Sequence, residues 1–344
     1  AIEEQNTSQT EDLFVRLKEE INLQFHRRIN DLQQAIKAQI ENQSEELFTQ
    51  LKEEINQQFH RRTNDLDRAV TSVKNELYGF FRRFPKTMLS FEVALAEHCN
   101  LNCVGCNHFS PLAPPTFANI EEFTSDLGQM KSLFGERVQR IKLLGGEPLL
   151  HPNINKFLLV ARDCFPYAEI MIVTNGLILP KMDESFWKIC KENRIVIEPT
   201  KYPVNFDYDA VEQLAKTYEV EYNYFAEKSS TKVFEKYVID PNGLQDCEGN
   251  YRMCFMANSC VHLLHGHLYT CPIAPTAHYL NEAFGTQLRE NPNDSIDIYQ
   301  AKSAEEILEF LAKPIPFCRY CRRDIVVDDI PWRQSKRELS EWTL

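Results

Sequence analysis

The chain has 344 residues and a formal net charge of −12 at pH 7. Its length allows more than one domain, and its acidic balance argues against nucleic acid as the main partner, because phosphate binding needs a basic face. It contains neither an apolar run long enough to cross a membrane nor a secretory pattern at its start. The first residue is Ala1 instead of Met, as in a processed chain or a fragment of a longer one.

The eleven cysteines all lie at or after position 99. Several are separated by only two or three residues, a spacing that suits metal binding better than the disulfide framework of a secreted domain. We therefore expect a reducing, cytoplasmic compartment.

Residues 1–78 contain no Gly, Pro or Cys, and the sequence of 17–32 recurs at 51–66, an offset of 34 residues. That offset is the tetratricopeptide length, but the Trp, Gly, Tyr and Pro positions of that repeat are absent. An apolar stripe with steps of mostly four residues includes Leu17, Ile21, Phe25, Ile29, Leu51, Ile55 and Phe59. The pattern predicts one long coiled-coil helix within a segment spanning 1–84, and a homo-oligomer formed through it. The alternative is a helical hairpin that folds at the polar segment 41–46.

From about residue 88, short apolar runs alternate with helical stretches. Strands are expected at 91–98, 140–146, 169–176 and 194–200, and helices at 120–135 and 153–165. Alternation of this kind predicts an α/β domain over 85–240 with a parallel sheet, whose chemistry lies at the carboxyl ends of the strands.

Three motifs follow the first three strands. Cys99, Cys103 and Cys106 form C-x3-C-x2-C after the first strand, and three thiolates leave one position of a metal centre open for chemistry. Gly-Gly-Glu-Pro at 145–148 ends the second strand, and Thr-Asn-Gly at 174–176 ends the third. Since the carboxyl ends of parallel strands meet at one edge of the sheet, the motifs predict a single site there.

Together these motifs resemble the radical S-adenosylmethionine superfamily over residues 88–240. The resemblance implies a partial (β/α)6 TIM-like barrel, S-adenosyl-L-methionine as cofactor and a reduced electron donor of flavodoxin or ferredoxin type. The [4Fe-4S] cluster would be held by Cys99, Cys103 and Cys106. The cofactor would be contacted by Gly145, Gly146, Glu147, Pro148 and Asn175.

One position departs from the family pattern. Gly105 stands where the family usually has an aromatic residue before the third cysteine, so a contact near the adenine is lost or is replaced by His108 or Phe109. Two other interpretations of the three cysteines are open. One is a buried helical stripe, which the asparagines and glycine within it disfavour. The other is a Cys3His zinc site that uses His98 or His108.

A second cysteine set lies in residues 241–344, where 260–271 predicts a β-hairpin with Gly266 at its turn. The spacing of Cys254, Gly266 and Cys271 resembles the auxiliary-cluster extension of radical S-adenosylmethionine enzymes, in its short twitch or SPASM-like form. The resemblance implies one auxiliary [4Fe-4S] cluster, held by Cys254, Cys271, Cys318 and Cys321.

Other interpretations of the remaining cysteines are also open. A zinc ribbon on the same four ligands is the alternative to the auxiliary cluster. Cys164 and Cys190 lie in helical, apolar surroundings and are expected in the core. Cys247 and Cys260 have no assigned ligand role.

The resemblance implies a 5′-deoxyadenosyl radical that abstracts hydrogen from a small, sugar-like or cyclitol alcohol. The auxiliary cluster would accept an electron, so that the alcohol undergoes two-electron oxidation. The candidate catalytic residues are His108, Lys201, Tyr202, Asp328 and Asp329 as bases and Cys260 as a hydrogen donor. Alternatives are a carbohydrate epimerase, a peptide-modifying maturase and a non-catalytic, metal-stapled scaffold.

Overall fold

The computed structural model describes residues 2–40, 45–81, 86–225, 233–325, 327 and 330–344. The chain divides into two compact units, Ala1–Lys74 and Asn75–Leu344. Within the described ranges, no helix is both long and apolar enough to span a membrane.

The N-terminal unit contains two helices, α1 (Ile2–Ile40) and α2 (Glu45–Phe81), of which α2 continues past the unit boundary. The rings of Phe25 and Phe59 stack with centroids 5.3 Å apart. In one continuous helix, residues 34 positions apart would be separated by about 50 Å at 1.5 Å per residue. The two helices therefore lie side by side.

The expectation of one uninterrupted helix is wrong, and the hairpin alternative describes the structure. The physical reason is that the two halves of the apolar stripe contact each other within the same chain, as Phe25 and Phe59 do. Phe25 lies 15 residues before the end of α1 and Phe59 lies 14 residues after the start of α2, as an antiparallel pair requires. Most of the polar segment at 41–46 lies outside the described residues.

The second unit is an α/β fold built on a seven-stranded sheet. The described strands of this unit, which form that sheet and a separate two-stranded one, are β1 (Leu89–Ala96), β2 (Val138–Gly145), β3 (Glu169–Thr174), β4 (Ile195–Pro199), β5 (Val233–Phe234), β6 (Val261–Leu264), β7 (His267–Tyr269), β8 (Ser295–Asp297) and β9 (Ile330–Pro331). The sheet order is β4-β3-β2-β1-β6-β7-β8, while β5 pairs with β9. Strands β1 to β4 and β6 are parallel, and a parallel bridge from Ile197 to Tyr222 extends the sheet beyond β4.

Helices alternate with the parallel strands, as the sequence predicts. They are α3 (Ile120–Phe134), α4 (Ile154–Cys164), α5 (Glu184–Glu192), α6 (Tyr208–Thr217), α7 (Cys247–Met253), α8 (Ile273–Thr276), α9 (His278–Phe284) and α10 (Ala304–Leu311). Side chains of Asn119, Asp183 and Asp207 accept backbone N–H bonds at the starts of α3, α5 and α6, which stabilises those ends. The predicted strand and helix boundaries agree with the structure to within two residues.

The two faces of the sheet differ in character. Phe91 and Leu95 of β1 are buried in the main hydrophobic core. Glu92 lies on the opposite face, where Lys142 of β2 and His262 of β6 are its neighbours in register. The sheet therefore presents a charged face away from the main core.

A second hydrophobic core surrounds the later cysteines. Cys271 and Cys318 are buried there with Tyr251, Phe317 and Trp342. The predicted hairpin is confirmed, since β6 and β7 are antiparallel and Gly266 at the turn has φ 71°. Cys190 is fully buried in the main core and Cys164 packs against it, as expected.

Candidate active site

The three-cysteine loop follows β1 directly. Cys99, Cys103 and Cys106 are free and half-buried. Asn102 and Gly105 within the loop have φ of 52° and 63°, in the left-handed region, so this segment is not a helix. The alternative of a buried helical stripe is therefore excluded.

The Gly-Gly-Glu-Pro turn packs directly on the start of this loop. The Gly146 N–H donates to the carbonyl of Ala96 across 2.7 Å, and the Glu147 N–H donates to the carbonyl of His98 across 3.0 Å. A Cβ at Gly145 would lie 2.1 Å from the Ala96 oxygen, and one at Gly146 would lie 2.2 Å from the His98 oxygen. Glycine is required at both positions because two backbones approach this closely.

The Glu147 side chain joins the ends of β2 and β3. Its carboxylate accepts hydrogen bonds from the Thr174 hydroxyl at 2.6 Å and from the N–H groups of Asn175 at 2.9 Å and Leu149 at 3.1 Å. The residue is fully buried, and that burial raises its pKa to about 7 despite the three donors. Buried Pro148 begins the short turn that follows. Sequence reasoning predicted that Glu147 contacts the cofactor; in the structure its carboxylate also holds the ends of β2 and β3 together.

Asn175 is the strand-end residue whose side chain reaches the cysteine loop. Its amide donates to the Asn100 side chain at 2.7 Å, and Nδ2 lies 3.7 Å from Sγ of Cys99. The ends of the first three strands thus converge on the loop, as their motifs predict.

The C-terminal segment closes over the same loop. The Trp332 indole donates to Sγ of Cys103 at 3.2 Å, and the Trp342 indole donates to the carbonyl of Cys106 at 3.0 Å. The Val104 N–H donates to the carbonyl of Arg333. Sequence reasoning paired neither tryptophan with a cysteine, since a tail residue more than two hundred positions away gives no local signal.

The C-terminal segment also lies close to Gly105, the position that departs from the family pattern. A Cβ there would lie 3.5 Å from the carbonyl oxygen of Glu341, so a larger side chain would meet the tail. Phe109 is 1% exposed and packs on Trp342 with ring centroids 6.0 Å apart. Phe109 is therefore part of the second core, and His108 points elsewhere, toward Glu92.

The thiol chemistry of the loop fits a polynuclear cluster. Burial raises the pKa of Cys99 to about 11 and of Cys103 to about 12, whereas at Cys106 a hydrogen bond to His108 outweighs burial and lowers the pKa. In the described part of the chain, no three cysteine sulfurs lie mutually within 4.8 Å.

The structure brings the four predicted auxiliary ligands together in the second core. Burial raises the pKa of Cys271 to about 12, and raises the pKa values of Cys318 and Cys321, with charge interactions from Cys254 adding in each case. Asn250 of α7 holds the last two in place, since its amide donates to the carbonyls of Cys318 at 2.9 Å and Cys321 at 2.5 Å. Sequence reasoning missed Asn250.

The unassigned cysteines lie on either side of this group. Cys260 is half-buried, and its pKa is raised to about 12 by burial, with Glu92 contributing. The Cys247 thiol lies 3.7 Å from the carbonyl of Pro316.

Of the other candidate bases, Tyr202 lies near the cysteine loop. Lys201 Nζ lies 3.7 Å from Asp209. Tyr202 stacks on Phe234, and burial together with the charges of the three loop cysteines raises its pKa well above the usual value. Asp328 and Asp329 lie outside the described residues.

A polar group lies on the charged sheet face beside the loop. Glu92 Oε1 is 3.5 Å from His262 Nδ1 and 3.8 Å from His108 Nε2. Burial opposes ionisation of Glu92, but the two histidines outweigh it and lower its pKa to about 2. On the same face, Lys142 Nζ lies 3.5 Å from Glu198. In the sequence, the only indication of a role for Glu92 is that a charged residue lies within a predicted apolar strand.

Comparison with known proteins gives short but clear matches. No family model matches the chain. The sequence is 29% identical over 96 residues to the GTP 3′,8-cyclase of Sulfurovum sp. (strain NBC37-1), covering 28% of this chain and 29% of that protein. It is 33% identical over 100 residues to the GTP 3′,8-cyclase of Chlorobaculum tepidum, covering 29% of each. The chain thus spans about three-tenths of the length of the curated relatives it matches.

Among solved structures, the fold is similar to BtrN in complex with AdoMet and 2-DOIA, with a TM-score of 0.45 and 19% identity over 70% of this chain and 94% of that one. It is also similar to anSMEcpe with bound AdoMet and Cp18Cys peptide, with a TM-score of 0.32 and 21% identity over 40% and 42% of the two chains. The cysteine loop and the glycine turn packed against it have the motif pattern of the radical S-adenosylmethionine superfamily, and the chain is similar in sequence to these cyclases over about three-tenths of its length.

Proposed function

We propose that this chain is a radical S-adenosylmethionine oxidoreductase acting on an alcohol carbon of a sugar-like or cyclitol substrate. Cys99, Cys103 and Cys106 would hold the [4Fe-4S] cluster that binds the cofactor. Cys254, Cys271, Cys318 and Cys321 would hold an auxiliary [4Fe-4S] cluster. When bound, these groups supply hydrogen-atom abstraction and one-electron transfer.

The observation that carries the choice of substrate is the charged sheet face beside the cysteine loop. Glu92, Lys142 and Glu198 offer hydrogen-bond donors and acceptors on rigid strands. Such groups suit a small polyhydroxylated molecule, because a few placed polar groups fix the orientation of a ligand. An extended apolar peptide would offer these groups no further hydrogen-bond partner.

The Lys142–Glu198 pair is the proposed hydroxyl-binding element. Its side chains are 28% and 15% exposed, so they are shielded from bulk water but open to a ligand. We expect Lys142→Met to raise KM at least about tenfold with a smaller effect on kcat, since a binding contact is lost. The matched control is Arg140→Met, because Arg140 lies on the same strand as Lys142, two residues farther from the loop, and pairs with Glu169 of β3.

The partners follow from this chemistry. The substrate is a small molecule, the electron donor is a reduced flavodoxin or ferredoxin, and eleven free cysteines suit a reducing cytoplasm. A homo-oligomer formed through the N-terminal hairpin remains part of the proposal. Leu17 and Leu32, at 52% and 55%, are among its exposed apolar residues.

The proposal is tested on anaerobically reconstituted protein with S-adenosylmethionine and dithionite. Cyclitols, sugars, nucleoside triphosphates and short peptides are compared as substrates. We expect a cyclitol or sugar to stimulate 5′-deoxyadenosine formation and to yield a ketone that a hydrazine reagent captures. Stimulation by a peptide or a nucleoside triphosphate alone would refute the substrate assignment.

A further inference from the structure

Glu92, His108 and His262 form a largely buried group beside the cysteine loop, where His108 also bonds to the Cys106 thiol. Glu92 and His262 face each other in register on β1 and β6, and His108 reaches them from the loop. The His262 side chain is 0% exposed and that of Glu92 is 7% exposed. Two of the three side chains are therefore held by rigid strands inside the protein.

Their polar atoms lack hydrogen-bond partners in the described part of the chain. This holds for Glu92 Oε1, for His108 Nε2 and for both ring nitrogens of His262. The separations of 3.5 Å and 3.8 Å exceed the usual hydrogen-bond range of about 2.7–3.2 Å. Leaving buried polar groups unpaired costs about 1–3 kcal/mol each, so the arrangement lacks a compensating ligand.

The same separations match the edges of a metal coordination polyhedron. Bonds of about 2.0–2.1 Å to imidazole nitrogen and carboxylate oxygen place tetrahedral ligand atoms about 3.3 Å apart. All three ligand atoms lie within 4.8 Å of one another, a condition that no other set of three histidine, cysteine or acidic side chains among the described residues meets. The group therefore has the dimensions of a single-ion site, unlike the cysteine sets.

We propose that Glu92, His108 and His262 bind one divalent transition-metal ion, Zn²⁺ or Fe²⁺, separate from the iron–sulfur clusters. Two imidazoles and one carboxylate suit these ions and leave coordination positions open. The His108 side chain is 22% exposed, although its Nε2 atom is buried. A role for the ion in polarising an alcohol oxygen of the substrate rests on the proposed function, whereas the presence of the ion does not.

The test uses zinc as the probe on the full chain, reconstituted anaerobically with iron and sulfide so that the thiols are occupied. After addition of Zn²⁺ and desalting, zinc content and zinc-edge X-ray absorption are measured. We expect about one zinc per chain, surrounded by nitrogen and oxygen at about 2.0–2.1 Å and not by sulfur at about 2.3 Å. A sulfur shell, or no retained zinc, overturns the proposal.

Variants assign the site. His262→Gln and Glu92→Gln should each weaken zinc binding at least about tenfold, with iron and sulfide contents unchanged as the check on folding. His265→Gln is the matched control, because His265 forms an exposed pair with Glu122 at 2.6 Å and should bind zinc like the wild type. Unchanged zinc affinity in His262→Gln overturns the assignment. Failure of the proposed function alone would appear instead as missing substrate turnover with zinc still bound.

Discussion

The indole N–H of Trp332 donates a hydrogen bond to Sγ of Cys103 across 3.2 Å, although the two residues are 229 positions apart in the chain. Hydrogen bonds to the sulfur ligands of an iron–sulfur cluster stabilise its more negative, reduced state. The C-terminal segment therefore lies where it can adjust the cluster's reduction potential.

We expect Trp332→Phe to lower the reduction potential of the first cluster by about 30–60 mV, on the scale of 59 mV for each tenfold change in a one-electron equilibrium. The change keeps an aromatic ring and removes only the donor. The measurement is a redox titration followed by electron paramagnetic resonance. Trp342→Phe is the control, because that indole donates to a backbone carbonyl instead of a sulfur. Equal shifts in both variants would contradict a specific N–H to sulfur effect.

Gly146→Ala should destabilise the protein by about 3 kcal/mol or more and reduce the iron bound by the first cluster. The reason is the 2.2 Å approach of the added Cβ to the carbonyl of His98, which only a backbone shift can relieve. Gly128→Ala within α3 is the matched control, since its Cβ meets nothing within 4 Å. That variant should gain about 0.5–1 kcal/mol. Urea unfolding measures both, and a neutral Gly146→Ala would disprove the close packing.

His151 gives the chain a pH dependence of stability. Its Nδ1 accepts a hydrogen bond from the N–H of Asn153 at 3.0 Å, and its Nε2 is hydrogen-bonded to the carbonyl of Ala118 at 3.1 Å. Because Nδ1 is an acceptor, the ring must be neutral. Burial lowers its pKa in the folded protein, so below the unfolded value of about 6.5 the unfolded chain binds more protons. Stability should fall as the pH drops through that value, by at most about 1.4 kcal/mol per pH unit.

The measurement is the free energy of unfolding in urea between pH 5 and 8, for the wild type and His151→Gln. We expect the gap between the two proteins to narrow toward low pH. A gap that is constant or widens toward low pH would show that His151 does not contribute this dependence.

Asn250→Ala should release the auxiliary cluster and spare the first one. The amide of Asn250 donates to the carbonyls of both Cys318 and Cys321, so its loss frees the loop that carries two proposed ligands. Iron content should fall from about eight to about four per chain, with the first cluster's spectrum retained. Asn242→Ala, which alters an exposed turn, should keep the full iron content. Loss of both clusters in Asn250→Ala would count against two independent sites.

The sequence was informative where a local pattern has one structural outcome. Alternating apolar runs located β1 to β4 to within two residues, and the Gly-Gly-Glu-Pro motif was correctly placed at the end of β2. The N-terminal stripe was ambiguous, because a long helix and a hairpin bury the same periodic residues. Only the Phe25–Phe59 contact decides between them.

Long-range contacts were beyond the sequence patterns. The pairing of Glu92 with His262 depends on β6 adding to the edge of β1, a register that no spacing predicts. The contacts of Trp332 and Trp342 with the cysteine loop depend on the path of the chain through the second hydrophobic core. The cysteine motifs predicted which residues bind a cluster, but not what surrounds them.

The most direct test of the central claim is 5′-deoxyadenosine formation by the anaerobically reconstituted protein with dithionite and S-adenosylmethionine. The account predicts that the wild type takes up iron and sulfide and forms 5′-deoxyadenosine, whereas a variant with alanine at Cys99, Cys103 and Cys106 forms none. Uptake of zinc without sulfide, or a fully loaded wild-type protein that forms no 5′-deoxyadenosine, would contradict it.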